Sequence, residues 1–200
     1  MVPVYAALRQ RFVDGGLSFA KAESFNLDEY CGLPAEDPSS FASYMRRHLF
    51  DHVDMAPGCF PLPDPQAPEA FDAQIARAGG IGLQLLGIGR NGHIGFNEPG
   101  AARDSRTRIV RLEESTRRAN AGDFPQGAAL PTHAVTMGIC TILEARSIVL
   151  LAIGAGKADS LARAFDGPVE AACPASFLQL HGDVTVVCDT AAASRLEETT

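Results

Sequence analysis

The residues best placed to do chemistry lie in one stretch, G-I-G-R-N-G-H-I-G-F-N-E-P-G, from Gly87 to Gly100, directly after the apolar run Ile81 to Ile88. His93 and Glu98 stand five residues apart there. In a tight loop an imidazole and a carboxylate at that spacing can share a proton, and the two groups bracket acid–base work near neutral pH. Asn97 completes the polar set, and the surrounding glycines allow a backbone to approach a ligand closely. The plain alternative is a His93 that caps a backbone group beside a solvated Glu98. Gly87, Gly89 and Gly92 also spell G-x-G-x-x-G, with Glu113 near the place of a ribose-binding acid. A dinucleotide fold needs the third glycine to open a long helix, and Gly95, Pro99 and Gly100 would break one within two turns.

Two further segments carry candidate groups. Asp28 and Glu29 are adjacent, so on an extended chain they point to opposite sides and at most one serves a given site. Either could instead cap a helix or turn. Gly154-Ala155-Gly156-Lys157 joins an apolar run to a helical pattern, where free backbone N–H groups and a lysine would attract an anion. A solvated surface lysine is the competing reading, and the Walker spacing is absent. His48 and His52 are at i, i+4 but lack a third ligand, so they read as surface histidines. No G-x-S-x-G elbow occurs, and none of the cysteines has a basic neighbour that would mark a nucleophile.

These groups need elements to position them. Helical spacing covers Val4 to Phe12, and Pro38-Ser39-Ser40 starts a helix running through Tyr44 to Phe50. Five prolines from Pro57 to Pro68 form an extended connection. A helix runs from the late sixties to Ala78, closed by Gly79-Gly80. Strands are expected at Ala22 to Leu27, Ile81 to Ile88 (buried on both faces), Thr107 to Leu112, Ser147 to Ile153 and Val184 to Cys188. Glu113 to Ala121 and Lys157 to Phe165 read as helices, and between Val135 and Leu143 helix and strand compete. Alternating strands and helices predict an α/β fold, a Rossmann-like mostly parallel sheet with helices on both faces. Ligands would then gather beyond the strand ends at Asp28, Gly89 and Gly154.

Composition sets the outer limits. Two hundred residues, 46% apolar and 20% charged, suit one globular domain over 1–200 and exclude a disordered or collagen-like chain. A net charge of −7 without a basic block argues against nucleic acid as a partner. No signal pattern and no membrane-length apolar run occur, and five cysteines without a C-x-x-C pair read as thiols in a reducing compartment, so a cytoplasmic chain with no membrane partner is expected.

With F-N-L-D-E-Y-C-G-L at Phe25 to Leu33, G-H-I-G-F-N-E-P within the glycine loop, and S-R-T-R at Ser105 to Arg108, the chain resembles the glucosamine-6-phosphate deaminase (isomerase) family from about Val2 to Leu196. Related sugar-phosphate lactonases share the loop's opening but not F-N-E-P. The resemblance implies conversion of glucosamine 6-phosphate and water to fructose 6-phosphate and ammonia, with no organic cofactor and no metal. It implies that His93, with Glu98 and Asn91, opens the sugar ring, that Asp28 moves a proton between C2 and C1, and that Lys157 holds the phosphate. Gly89 and Gly92 are the accompanying substrate-contact candidates.

The departures from the family pattern carry expectations too. Some members have Asp at Asn91, others Arg at Gly122, and the hexameric, allosterically activated members have Lys at Val110. Family members begin with a helix, a strand and a phosphate-binding G-[GS]-T-P loop, and Val2-Pro3-Val4-Tyr5 aligns just after it. A fragment or misassigned start is therefore expected, leaving an exposed apolar sheet face. The partner expected is a small sugar phosphate, with a homo-oligomer left open. The alternatives are a degenerate sugar-phosphate-binding module and a deaminase of another amino-sugar phosphate such as galactosamine 6-phosphate.

Overall fold

The computed structural model describes residues 1–197. Among the described residues, six strands form two sheets. β2 (Leu83–Gly87), β5 (Ser147–Ala152) and β6 (Val184–Cys188) make a parallel sheet in the order β2-β5-β6. β1 (Asp28–Tyr30), β3 (Arg108–Arg111) and β4 (His133–Thr136) make an antiparallel one in the order β1-β4-β3. The expected parallel α/β sheet is therefore present but confined to three strands. Alternation along the chain reveals elements, not partners: β3 and β4 are separated by a helix yet pair antiparallel.

The helices are α1 (Val2–Val13), α2 (Phe41–His48), α3 (Pro68–Arg77), α4 (Glu114–Ala119), α5 (Ile139–Leu143), α6 (Ala158–Phe165) and α7 (Thr190–Ala193). The contest between Val135 and Leu143 resolves as strand then helix, with Gly138 at the junction. The strand expected at Ala22 to Leu27 does not form; pairing begins at Asp28, so Asp28 opens a strand and does not follow one.

The main core lies on one face of the parallel sheet. Leu86, Ile148, Leu150 and Ala152 meet Phe71 and Ile75 of α3, Ile139 and Ile142 of α5, and Leu161 and Ala164 of α6. On the other face Leu85, Val149 and Leu151 are half-buried, and Leu83 is 56% exposed. Burial of β2 on both faces is thus not what the described residues show: side chains alternate in and out along β2 and β5. A second cluster joins Tyr30, Phe96, Leu112 and Ala134, and a third packs α1 against α2 through Tyr5, Leu8, Met45 and Leu49.

Polar anchors lock these layers. The Ser40 side chain accepts from Ser43 N–H at 3.0 Å and caps α2. Buried Glu29 accepts from Tyr30 N–H (2.8 Å), Phe41 N–H (3.0 Å) and Ala42 N–H (2.9 Å), so β1 itself neutralises the start of α2. Asp72 on α3 accepts from Thr107 N–H (3.0 Å) and from the hydroxyls of Thr107 (2.8 Å) and Thr141 (2.7 Å), tying α3 to the approach to β3 and to α5.

Replacing Glu29 with Ala strands three N–H groups that have no water to turn to. Glu29→Ala is expected to lose about 2–4 kcal/mol of stability. Urea unfolding checks this, as a lower midpoint at unchanged slope.

Candidate active site

The loop from Ile88 to Gly100 leaves the carboxyl end of β2 without entering a helix, which removes the dinucleotide reading. It is pinned at both ends by the segment before β6: Ala175 N–H donates to Gly92 O (2.8 Å), and Gly100 N–H donates to Ala171 O (2.8 Å). Inside the loop, Gly89 N–H donates to His93 O (2.9 Å) and Gly92 N–H to Gly89 O (3.1 Å). The N–H groups of Gly89 and Gly92, the two substrate-contact candidates, are thus bonded within the loop. Gly89 has a steric reason instead: a Cβ there would lie 2.3 Å from the His93 ring.

His93 Nδ1 faces Glu98 Oε2 at 3.4 Å, a contact that lacks hydrogen-bond alignment. Asn91 Nδ2 donates to the same Glu98 oxygen at 2.7 Å, and the Thr116 hydroxyl of α4 donates to the other. Burial would raise the Glu98 carboxyl, but the His93 ring and the hydrogen bonds from Thr116 and Asn91 outweigh it and hold it below its ordinary value. An anionic Glu98 carboxylate facing Nδ1 favours a proton on that nitrogen, which leaves Nε2 free to face a ligand. Asn91, expected to act with His93 and Glu98, places its amide on Glu98, while its oxygen accepts from the His93 backbone N–H at 3.2 Å.

Asp28 reaches the same loop from β1. A Cβ on Gly95 would stand 3.4 Å from Asp28 Oδ2, so the carboxyl lies against the turn between His93 and Glu98. Burial, reinforced by the neighbouring Glu29 carboxylate, pushes its pKa up to about 7. The adjacent acids therefore divide their roles as an extended backbone requires, Glu29 toward α2 and Asp28 toward the loop. A carboxyl titrating near neutrality can accept and return a proton in one turnover.

Lys157 stands at the end of β5, and its Nζ donates to Ile88 O at 2.6 Å, which brings it to the root of the loop. Burial first, then the charge of Arg90, lowers its pKa. Arg90 lies beside Gly156, whose Cβ would be 3.6 Å from its Nε, so two cations meet where the parallel strands end. The anion cradle expected at Gly154 is altered, because Gly154 N–H already donates to both Asp189 carboxylate oxygens at 3.0 and 3.1 Å.

Sequence reading missed Thr116, Arg90 and Asp189, since a lone threonine, arginine or aspartate carries no pattern. His48 packs its ring against Tyr44 and His52 Nε2 contacts Arg47 O at 2.9 Å, so neither joins the site. Of the five free cysteines only Cys173 is buried. A cleft of about 700 Å³ opens nearby between Val2, Tyr30, Tyr44, Arg47 and the Gly122 to Pro125 turn, but none of Asp28, Asn91, His93, Glu98 or Lys157 lines it. Among the described residues, no helix is long and apolar enough to cross a membrane.

Because Asp28 binds its proton more tightly folded than unfolded, it destabilises the fold as pH rises from about 4 through about 7. Asp28→Asn removes that burden. Its melting temperature is expected to exceed wild type at pH 8 by about 2–4 °C or more, and by much less at pH 4, on thermal unfolding at both pH values.

Comparison with known proteins places these features in company. The profile described as glucosamine-6-phosphate isomerases/6-phosphogluconolactonase matches residues 1–187. The chain is similar to the glucosamine-6-phosphate deaminase of Rhodopirellula baltica, 52% identical over 200 residues, covering 97% of this chain and 80% of that one. It is also similar to that of Rhodococcus opacus, 49% identical over 199 residues, covering 96% and 77%. A solved structure of a monomeric glucosamine-6-phosphate deaminase superposes with a TM-score of 0.93 at 42% identity, covering 97% of this chain and 83% of that one.

Proposed function

Because this chain belongs to the glucosamine-6-phosphate isomerase/6-phosphogluconolactonase family, we propose that it converts glucosamine 6-phosphate and water to fructose 6-phosphate and ammonia. The observation that carries the reading is that two acid–base centres with opposite tuning share one turn. Asp28 is raised to about 7 on one side, and His93 is backed by a Glu98 held below its ordinary value on the other.

His93 Nε2 moves the proton that opens the pyranose, between the ring oxygen and the anomeric hydroxyl. Glu98 stabilises the imidazolium formed on the way, and Asn91 and Thr116 keep that carboxylate aimed. Asp28, ionised, takes the proton from C2 of the open aldehyde and delivers it to C1. The enolamine between those steps becomes an iminium at C2; water adds there and ammonia leaves. Lys157, with Arg90 beside it, neutralises the phosphate. The five free thiols suit a cytoplasmic setting.

The alternative is a sugar-phosphate binder that retains Asp28, His93 and Glu98 but does not turn over. Coupled assays of ammonia and fructose 6-phosphate separate the two. Turnover by the wild-type chain supports the deaminase, whereas thermal stabilisation by glucosamine 6-phosphate without ammonia release supports the binder.

Two variants test the assigned roles. Asp28→Asn is expected to lower kcat about 10²–10⁴-fold while still opening the ring. Deuterium exchange at C2 by that variant would remove Asp28 from the proton transfer. Lys157→Ala is expected to raise KM about 10–100-fold with a smaller effect on kcat, since it removes a charged contact present before and during the reaction.

A further inference from the structure

The antiparallel sheet does more than support β1. Its register makes Thr136 the partner of both Asp28 on β1 and Arg108 on β3, so the three side chains form one row across three strands, on one face. The loop turn Ile94–Asn97, closed by a bridge between its ends, lies along that row. Gly95 sits over Asp28 and Thr136: a Cβ there would stand 3.4 Å from Asp28 Oδ2 and 2.9 Å from Thr136 Oγ1. With φ +57 the position favours glycine on conformational grounds as well. Phe96 N–H donates to Thr136 Oγ1 at 3.1 Å, and the same hydroxyl donates to Met137 O at 3.3 Å. Arg108 Nη1 donates to Asn97 Oδ1 at 2.9 Å, and Asn97 Nδ2 donates to Ile94 O (2.9 Å) and Met137 O (2.8 Å).

His93 precedes this turn and Glu98 follows it. Each residue from Gly95 to Asn97 is therefore met by at least one member of the row, and the turn cannot slide along the sheet without breaking a buried polar contact. Thr136 and Asn97 are both 0% exposed, so water cannot take over the lost bonds. The half-buried Arg108 guanidinium meets an amide oxygen there, and burial lowers its pKa.

We infer that Thr136 and Arg108 are positioning residues that fix the distance between the Asp28 carboxyl and the His93–Glu98 pair. The inference rests on the deaminase reading for its kinetic consequence, but the geometric part can be read without turnover. An error of about 1 Å in such a distance is worth about 100-fold in rate.

The test compares Thr136→Val, which keeps the shape and loses the hydroxyl, with Thr136→Ser, which keeps the hydroxyl. Arg108→Gln serves as a second, less buried site should the valine variant fold poorly. Thr136→Val and Arg108→Gln are expected to lower kcat about 10–100-fold with KM within about 2-fold of wild type, and Thr136→Ser to stay within about 3-fold of wild type. In parallel, the side-chain ¹⁵N resonances of His93 are followed through a pH titration. They are expected to move in Thr136→Val and Arg108→Gln but not in Thr136→Ser. Folded variants with unchanged kcat and an unchanged His93 titration would overturn the inference, as would a rise in KM alone, which would make Arg108 a substrate contact. A wild-type chain that releases no ammonia while the His93 titration still shifts in the variants would sink the deaminase reading and leave the positioning row standing.

Discussion

A loop rich in glycine has no intrinsic reason to keep one shape, and the side chain of Asn97 supplies the reason here. Fully buried, it donates to a carbonyl of its own turn and to Met137 O at the end of β4, and its oxygen is met by Arg108 from β3. One amide thus uses both donors and an acceptor to join the loop to the antiparallel sheet. Burial makes every one of those bonds expensive to lose, because nothing but protein surrounds them. His93 and Glu98 inherit their separation from that arrangement. Gly92 and Gly100, held by Ala175 and Ala171, close the frame from the parallel-sheet side.

Within that frame three carboxylates in a small volume behave in three ways. Glu29 sees only N–H donors, and its charge serves the start of α2. Glu98 is half-buried, yet the donors aimed at it outweigh desolvation and hold its carboxyl below the ordinary value. Asp28 is surrounded by protein with Glu29 next to it, and its proton is held to about 7. What separates these groups is how far each is buried and which donors and charges face it. An anion that steadies an imidazole and a carboxyl able to carry a proton are the two parts that aldose–ketose chemistry asks for.

The two sheets contribute differently to the site. The parallel sheet delivers its loop and Lys157 side by side, because β2 and β5 run in the same direction and end at the same level. The antiparallel sheet delivers Asp28 from the opposite side and aligns it with Thr136 and Arg108. The acid–base groups lie where the two meet, and Phe96, on the loop, packs into the aromatic cluster with Tyr30 that seals the junction.

The sequence by itself determined what is local. The spacing of His93 and Glu98, the helix start at Ser40 and the apolar runs of β2, β5 and β6 all follow from neighbours along the chain. So did the division of labour between Asp28 and Glu29, since adjacent residues on a strand cannot face the same way. The resemblance carried by G-H-I-G-F-N-E-P named the chemistry, but neither it nor the spacing could show that Asn91 would hold Glu98 and leave the ring alone. Only the tertiary structure decided that, together with the strand that begins at Asp28, the half-open second face of the parallel sheet, the carboxylate of Asp189 on Gly154, and the row through Thr136. Each of these depends on a partner far away in the chain. Such pairings are set by how buried faces and hydrogen bonds close in three dimensions, and no periodicity of 2 or 3.6 records which strand will lie beside which.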